Sequence, residues 1–419
     1  MSYPDSVRYL YALGNEMKTA KLGLERMGIV LQALGHPERA CRFVHVAGTN
    51  GKGSTCAMIE AGLRAAGVTT GLFTSPHLIE PTERIRINGV DVSAGQFAGA
   101  FDTVHAAAEE LLAADAIDTH PSYFETVTAM AFVLFRDAAV DTVVLEVGLG
   151  GRLDATNVVT PAICVITPID YDHEALLGST IAKIASEKAG ILKAGVSAVF
   201  TRQRPEADRV LTDVAADLGC PVRRTSDWPV SDLALAPEGC SFEAGGHRLV
   251  CPLAGEHQVE NALAAAIALD SLGVPPDGIA NAKWPGRLER IAPGIYLDGA
   301  HNPAGAQALA AYIERFYSGK RIVLVYGAMR DKALEEVTGT LFPLAAEIVL
   351  TAPQSARAVD PQRLADAHSA SPVRVAPGLR AAIHLAKDLN PDVVFITGSL
   401  FVVGEARAIL LESATGLVQ

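Results

Sequence analysis

Val44-His45-Val46-Ala47-Gly48-Thr49-Asn50-Gly51-Lys52-Gly53-Ser54 is the stretch that decides the fold. A short apolar strand ends here in a glycine-rich turn carrying a lysine and a hydroxyl. Glycines let successive backbone N–H groups converge on phosphate oxygens, a helix starting near Ser54 aims its positive end at them, and Lys52 reaches toward the β and γ phosphates of a nucleoside triphosphate. The spacing departs from G-x-x-x-x-G-K-[ST], because Gly48 stands three residues before Gly51 and a glycine follows Lys52. A tight strand-to-helix turn with no ligand is the competing reading.

Outward from this loop, apolar runs alternate with helical stretches up to about Lys193: FVHVAG, a helix through Leu63-Arg64, VTTGLFTS, a long helix near Phe124 to Phe135, DTVVLEVG and AICVITPI. Such alternation predicts a mostly parallel sheet covered on both faces, with ligands at the carboxyl ends of the strands. From about Arg223 to Cys251 short runs broken by Pro and Gly (CSFEAGG, HRLVCP) predict small antiparallel strands, followed by an Ala-rich helix from Asn261 to Leu272. After Trp284-Pro285-Gly286-Arg287 a second alternating series begins: IYLDGA, RIVLVYGAM, EIVLTAP, VRVAP and DVVFITGSLFVV. It predicts a separate doubly wound domain without a G-x-G-x-x-G fingerprint, whose first strand ends in Asp298-Gly299-Ala300-His301-Asn302-Pro303. Polar residues there are expected to face the other domain across a cleft.

At 419 residues, with 49% hydrophobic and 20% charged residues, the chain exceeds one ordinary core, and two domains are expected. A formal charge of -12 argues against unspecific nucleic-acid binding. Cys41, Cys56, Cys164, Cys220, Cys240 and Cys251 form no C-x-x-C pair and read as small buried hydrophobes in a reducing compartment. The opening MSYPDSVRYLYALGNEMK lacks the pattern of a signal peptide, and no long apolar stretch predicts a membrane span. A soluble cytoplasmic protein is expected.

Glu146 ends the apolar strand Thr142 to Val147 and precedes Gly148-Leu149-Gly150-Gly151-Arg152-Leu153-Asp154. A carboxylate beside a phosphate loop suits Mg²⁺, which prefers oxygen ligands, although capping of the glycine turn is the alternative. The next strand ends in Pro168-Ile169-Asp170-Tyr171-Asp172-His173, where His173 is either a ligand or a structural hydrogen bonder. Ser75, in Thr74-Ser75-Pro76-His77, is a metal or phosphate ligand or an ordinary turn serine; Arg84 and Arg86 are anion binders or salt-bridge partners. Lys188, near the glycine stop of its helix, reads by itself as a solvated surface charge. No G-x-S-x-G elbow surrounds Ser399.

The ordered series GTNGKGS, TSPHL, ERIRING, FETVTAMAF, EVGLGGRLDATN, ITPIDYDHEALLG, IASEKAGI, GEHQVENA, WPGRLE, DGAHNP and GSLFVVGE resembles the folylpolyglutamate synthase / dihydrofolate synthase family. That family lies within the ATP-dependent amide ligases that include the Mur ligases, and the resemblance runs from about residue 20 to 405. It implies an α/β protein with an N-terminal P-loop ATPase domain, residues 1–289, built on a mostly parallel sheet plus a small antiparallel sheet. A C-terminal Rossmann-like α/β domain, residues 290–419, serves glutamate ligation. The implied reaction joins L-glutamate to dihydropteroate and then to folates through an acyl phosphate.

Carried over motif by motif, the resemblance gives Gly51, Lys52, Gly53 and Ser54 to the triphosphate, with Asn261, Arg287 and Asp298 completing the ATP site. Ser75, Glu146 and His173 become Mg²⁺ ligands, and Lys188, carbamylated, a ligand of a second Mg²⁺, which reverses its reading as a surface charge. Lys52, Lys188 and His301 are the catalytic set. Ser122, Tyr123, Phe124, Glu125, Leu153, Asp154 and Ala155 hold dihydropteroate. A monovalent cation completes the cofactors, and the protein is expected to act as a monomer on small molecules, with neither nucleic acid nor membrane. Alternatives are folylpolyglutamate synthesis alone, a Mur-type peptide ligase, or a nucleotide-regulated binding module. The glycine after Lys52, the SPHL turn and the want of a uridine-binding domain before residue 43 stand against the Mur reading.

Overall fold

The computed structural model describes residues 1–14, 23–330, 333–366 and 371–415. The end of the opening stretch, residues 15–18, and the start of the resemblance near residue 20 therefore lie outside the described residues. Two compact units emerge: residues 1–231, 243–249 and 260–282 form the first, and residues 232–242, 250–259 and 283–419 the second.

The first unit carries an eight-stranded sheet made of β1 (Arg42–Ala47), β2 (Thr70–Phe73), β3 (Ile85–Ile87), β4 (Val90–Asp91), β5 (Thr142–Glu146), β6 (Ile163–Ile166), β7 (Ser197–Phe200) and β8 (Val222–Arg224). Their order is β4-β3-β2-β5-β1-β6-β7-β8, parallel except for the β3 and β4 edge. Asn88 and Gly89, both at positive φ, make the β3–β4 turn, as Asn-Gly pairs do in tight hairpins. Its helices are α1 (Tyr3–Ala12), α2 (Glu25–Ala33), α3 (Lys52–Ala65), α4 (Ala94–Ala113), α5 (Tyr123–Asp137), α6 (Glu174–Leu177), α7 (Ile181–Ala189) and α8 (Pro205–Asp217).

One apolar cluster joins residues of α1, α2, α4 and α5 to Phe43, Phe73 and Leu145, and another joins α7 and α8 to Ala47, Ile166 and Phe200. Central strands covered on both faces read as unbroken Val/Ile/Leu runs, which is why β5 and β6 are buried along their length. The chain leaves β1 toward β2 and, after β5, crosses to β6 on the other side. The carboxyl end of β1 is thus the switch point, where open α/β sheets bind ligands.

Strands β9 (Ser231–Ala236), β10 (Gly239–Ala244) and β11 (His247–Cys251) make the small sheet, ahead of α9 (His257–Ser271). The second unit holds a sheet in the order β12-β13-β17-β14-β15-β16. It comprises β12 (Glu289–Ala292), β13 (Ile295–Leu297), β14 (Ile322–Tyr326), β15 (Glu347–Leu350), β16 (Val373–Val375) and β17 (Val393–Thr397), parallel except for β12. Its helices are α10 (Pro303–Tyr317), α11 (Leu334–Leu341), α12 (Pro361–Asp366), α13 (Leu379–Asp388) and α14 (Leu400–Thr415).

Three local expectations shift. The loop helix starts at Lys52, one turn-residue pair before Ser54, because Gly51 at φ 85 supplies the reversal itself. The Ala-rich helix starts at His257. The FVV of the last apolar run is helical, since Gly398 at φ 104 ends the strand and α14 begins at Leu400. The cysteines are free, four buried and two half-buried. Among the described residues no helix is long and apolar enough to cross a membrane.

Candidate active site

Two features shape the loop after β1. Gly48 has φ 149, and a Cβ there would lie 1.8 Å from Thr167 Oγ1; Gly51, at the head of α3, has a positive φ and faces Asn261, whose Oδ1 would be 2.2 Å from an added Cβ. Only glycine fits either place. The loop is tied to the segment after β6 by the amides of Thr49 and Asn50, which donate to Pro168 O at 2.9 and 3.2 Å. Thr49 Oγ1 donates to Asp170 O and accepts from the Asp170 amide, both at 3.0 Å. Sequence reasoning missed Thr49, because the partner that gives it meaning is distant in the chain. The N-terminus of α3 has no side-chain cap, so its first amides are positioned for an anion.

Both lysines of the proposed site meet at one carbonyl. Lys52 Nζ donates to Gly48 O and Thr49 O, each at 3.2 Å, and Lys188 Nζ donates to Gly48 O at 2.7 Å. Lys188 is 5% exposed, which corrects the reading of a solvated helix charge: its place on α7 turns it inward beneath the loop. Burial, aided by the Lys52 charge, lowers its pKa to about 7 against the opposing pull of Asp172 and Asp154. The Lys52 charge so close to Lys188 disfavours a second full cation at this carbonyl and favours an anion there.

Glu146 ends β5 at 4% exposure and accepts the Ser75 amide at 3.0 Å, which puts these two candidate ligands side by side. His173 heads α6 with φ 51, its amide on Asp172 Oδ1 and its Nε2 3.8 Å from the same oxygen. Arg86 pairs with Asp91 across the β3–β4 hairpin at 2.6 Å, whereas Arg84 is buried and donates to His77 Nδ1 at 2.8 Å. Burial and Arg84 hold the His77 pKa near 3.

The glycine loop after β5 hangs on a buried polar chain. Asp154 accepts the Leu149 amide at 2.9 Å, the Thr156 amide at 3.0 Å and the Thr156 hydroxyl. With that hydroxyl donating to the carboxylate, His45 Nε2, 2.9 Å away, is left to donate to Thr156 Oγ1, so Nδ1 is the unprotonated nitrogen. Burial raises the Asp154 pKa and drops that of His45 to about 3. Leu153 is half-buried and Ala155 buried, opening a single helical turn.

At the start of α5, Ser122 and Glu125 cap each other, and Glu125 also takes Arg26 at 2.6 Å. Glu125 therefore already serves two groups of its own chain. Tyr123 stacks on Tyr11 at 5.7 Å with Arg84 over its ring, and Phe124 lies against Phe73 and Gly148. Flat apolar faces are thus grouped beside the Asp154 loop.

In the second unit Asp298, 8% exposed, accepts the amides of Leu288 and Ala300 at 2.9 Å each. Burial raises its pKa while Arg287 draws it back. Arg287 packs so tightly on Gly299 that a Cβ there would meet its guanidinium at 2.1 Å. His301 Nδ1 is 2.7 Å from Gly299 O, which makes Nδ1 the donor.

A glycine loop at the switch point of a parallel sheet, opening an uncapped helix and overlaid by lysines, defines a phosphate-loop α/β protein. The Mur ligase middle domain matches residues 46–269 and the Mur ligase glutamate ligase domain residues 286–400. The chain is 37% identical to the dihydrofolate synthase/folylpolyglutamate synthase of Bacillus subtilis, over 92% of this chain and 94% of that one. Mycobacterium tuberculosis folylpolyglutamate synthase complexed with ADP superposes with a TM-score of 0.91 at 34% identity, covering 98% of both chains. E. coli FolC in complex with DHPP and ADP does so with 0.87 at 30% identity, covering 99% of both. The chain belongs to the Mur ligase family and, within it, to the dihydrofolate synthase/folylpolyglutamate synthases, ATP-dependent ligases that attach glutamate to folates.

Proposed function

We propose that this protein joins L-glutamate to dihydropteroate and then extends the glutamate tail of reduced folates. The observation that carries the reading is the convergence of Lys52 and Lys188 on the Gly48 carbonyl at the bare N-terminus of α3, where a triphosphate has its counter-charge prepared. The pterin carboxylate attacks the γ-phosphoryl of ATP, the bond to ADP breaks, and an acyl phosphate forms. The amine of glutamate then attacks the acyl carbon, and phosphate leaves as the amide bond closes. Lys52 stabilises charge on the transferring phosphoryl group, with the amides of Gly51, Gly53 and Ser54 around it.

Asn261, against the loop at Gly51, together with Arg287 and Asp298, serves the nucleotide in this reading, and His301 serves glutamate. Residues 1–289 are assigned to ATP binding and residues 290–419 to glutamate ligation. Ser75, Glu146 and His173 are assigned to Mg²⁺; for the first two the support is a buried carboxylate adjoining a serine, which offers oxygen donors at a strand end. Bound there, the ion would neutralise triphosphate charge. Lys188 is primed for carbamylation, since a pKa of about 7 leaves much of its amine neutral and nucleophilic toward CO₂. The product anion would face the Lys52 ammonium across the Gly48 carbonyl and hold a second Mg²⁺. The monovalent cation has no residues assigned. A cytoplasmic monomer is the state in which we expect the enzyme to work.

Ser122, Tyr123, Phe124, Glu125, Leu153, Asp154 and Ala155 are assigned to dihydropteroate; the half-buried ring of Phe124, packed on Phe73 and beside Gly148 of the loop that Asp154 holds, suits a flat heterocycle. The deciding assay supplies dihydropteroate, ATP, Mg²⁺ and glutamate to the purified protein and follows phosphate and dihydrofolate. Product in this assay and with a reduced folate supports both activities. Turnover of the folate alone reduces the reading to folylpolyglutamate synthesis.

A further inference from the structure

We propose a second metal-binding place in the first unit, formed by His105, Glu109 and His120, for a zinc-class divalent cation. His105 and Glu109 lie four residues apart on α4 and so share one helical face. His120 comes from the segment that leads into α5. The three ligand atoms all lie within 4.8 Å of one another. His105 Nδ1 is 3.3 Å from His120 Nε2 and 3.8 Å from Glu109 Oε1. Two ligands on a tetrahedral ion with metal–nitrogen bonds of about 2.0–2.1 Å stand about 3.3–3.4 Å apart, so the two imidazoles already sit at the required edge. Only the carboxylate, on an exposed side chain, has to close by a small rotation.

The surroundings hold the rings in that pose. His120 Nδ1 is 2.9 Å from Pro121 O and donates to it, which leaves the Nε2 lone pair directed at the cluster, as second-sphere carbonyls do for ligating histidines. Tyr9 packs on both rings, at 4.7 Å from His105 and 5.6 Å from His120, and Phe101 stacks on His105 at 5.3 Å. Two imidazoles and one carboxylate favour zinc over Mg²⁺, in contrast to the oxygen-rich pair Ser75 and Glu146. The fourth position is left to water. Such an ion would staple α4 to the turn Pro121–Ser122 that caps α5, and so fix the segment assigned to dihydropteroate.

The test titrates Co²⁺, a spectroscopic stand-in for zinc, into the full-length protein saturated with Mg²⁺ and ADP. One equivalent should give visible d–d bands that added Zn²⁺ abolishes. Glu109→Gln and His120→Ala should each weaken the binding by more than about a hundredfold, beyond the range of about 10–100-fold that loss of an outer-sphere partner costs. His247→Ala, at a remote histidine, should leave it intact. Glu109→Gln alters an exposed carboxylate and keeps the fold, so its result is free of misfolding. Zn²⁺ should also raise the melting temperature of the wild type and not that of Glu109→Gln. Absence of the bands, or bands unchanged in Glu109→Gln and His120→Ala, overturns the proposal and leaves His105 and His120 a hydrogen-bonded pair.

Discussion

The loops after β1, in mid-sheet, and after β13, beside the antiparallel edge strand, each leave the carboxyl end of a strand and open a helix, yet they are finished in opposite ways. After β1 the turn is glycine, α3 has no side-chain cap, and two lysines lie over the backbone. After β13 the chain closes itself: Asp298 takes two amides, and Asn302 Oδ1 takes the Gly305 amide at 2.8 Å beneath Pro303 at the first helical position. A helix start saturated by its own side chains is built for stability; one left open has its amides available to a ligand. The switch point marks the loop after β1 as a ligand place, and the capping chemistry separates it from the loop after β13 as the one suited to phosphate.

The strongest way to break this contrast is Lys52→Ala. If the open loop is the phosphate site, kcat/KM for ATP falls by about 10³-fold, near 4 kcal/mol of transition-state stabilisation, with an unchanged melting temperature. A loss under tenfold would return the loop to a mere turn. Next in size is Gly48→Ala, where positive φ and Thr167 leave no room for a methyl group; we expect roughly 2–4 kcal/mol of destabilisation in urea unfolding. Gly305→Ala, on the closed side, meets Asn302 Oδ1 only at 3.2 Å within a helix, and should stay within about 1 kcal/mol of the wild type. Equal costs at the two glycines would erase the distinction.

Acid sharpens the comparison further. His45, buried at 0% exposure with a pKa lowered to about 3 from 6.5, is neutral in the folded protein and takes up a proton on unfolding below pH 6.5. Its contribution is complete above that value and declines as pH falls toward 3, by about 2 kcal/mol between pH 7 and 5. Asp298 has the opposite sign: its raised pKa means that the folded state gains relative to the unfolded one as pH falls. Comparing the pH dependence of urea midpoints in wild type and His45→Gln isolates the first term. An identical slope in both proteins would dismiss the buried His45–Thr156–Asp154 chain as an acid-sensitive support of the first region.

Much of this was legible in sequence because it rests on local chemistry. Period and apolar runs mark the strands, and GTNGKGS marks the open loop, since glycine at a strand end is a local requirement. What the sequence hides is which distant groups meet. Lys188 reads as a surface charge from its own helix, and only the packing of α7 under the loop buries it at Gly48. Thr49 looks like filler until Asp170 stands opposite, and the ion pair of Glu125 is invisible until Arg26 arrives from α2. The hairpin at Asn88-Gly89 is legible as well, since an Asn-Gly pair suits two successive positive φ angles.

The smallest effect tests the closed loop itself. Asn302→Ala removes the oxygen that receives the Gly305 amide while Pro303 keeps the backbone poised for a helix. Loss of such a cap costs about 1 kcal/mol. Because the Asn302 side chain is spent on its own helix, the KM for ATP should stay unchanged while the unfolding midpoint falls by that amount. A raised KM with undiminished stability would mean that the second loop, too, lends its helix start to a ligand. The two regions would then differ in how they are capped without differing in what they are for.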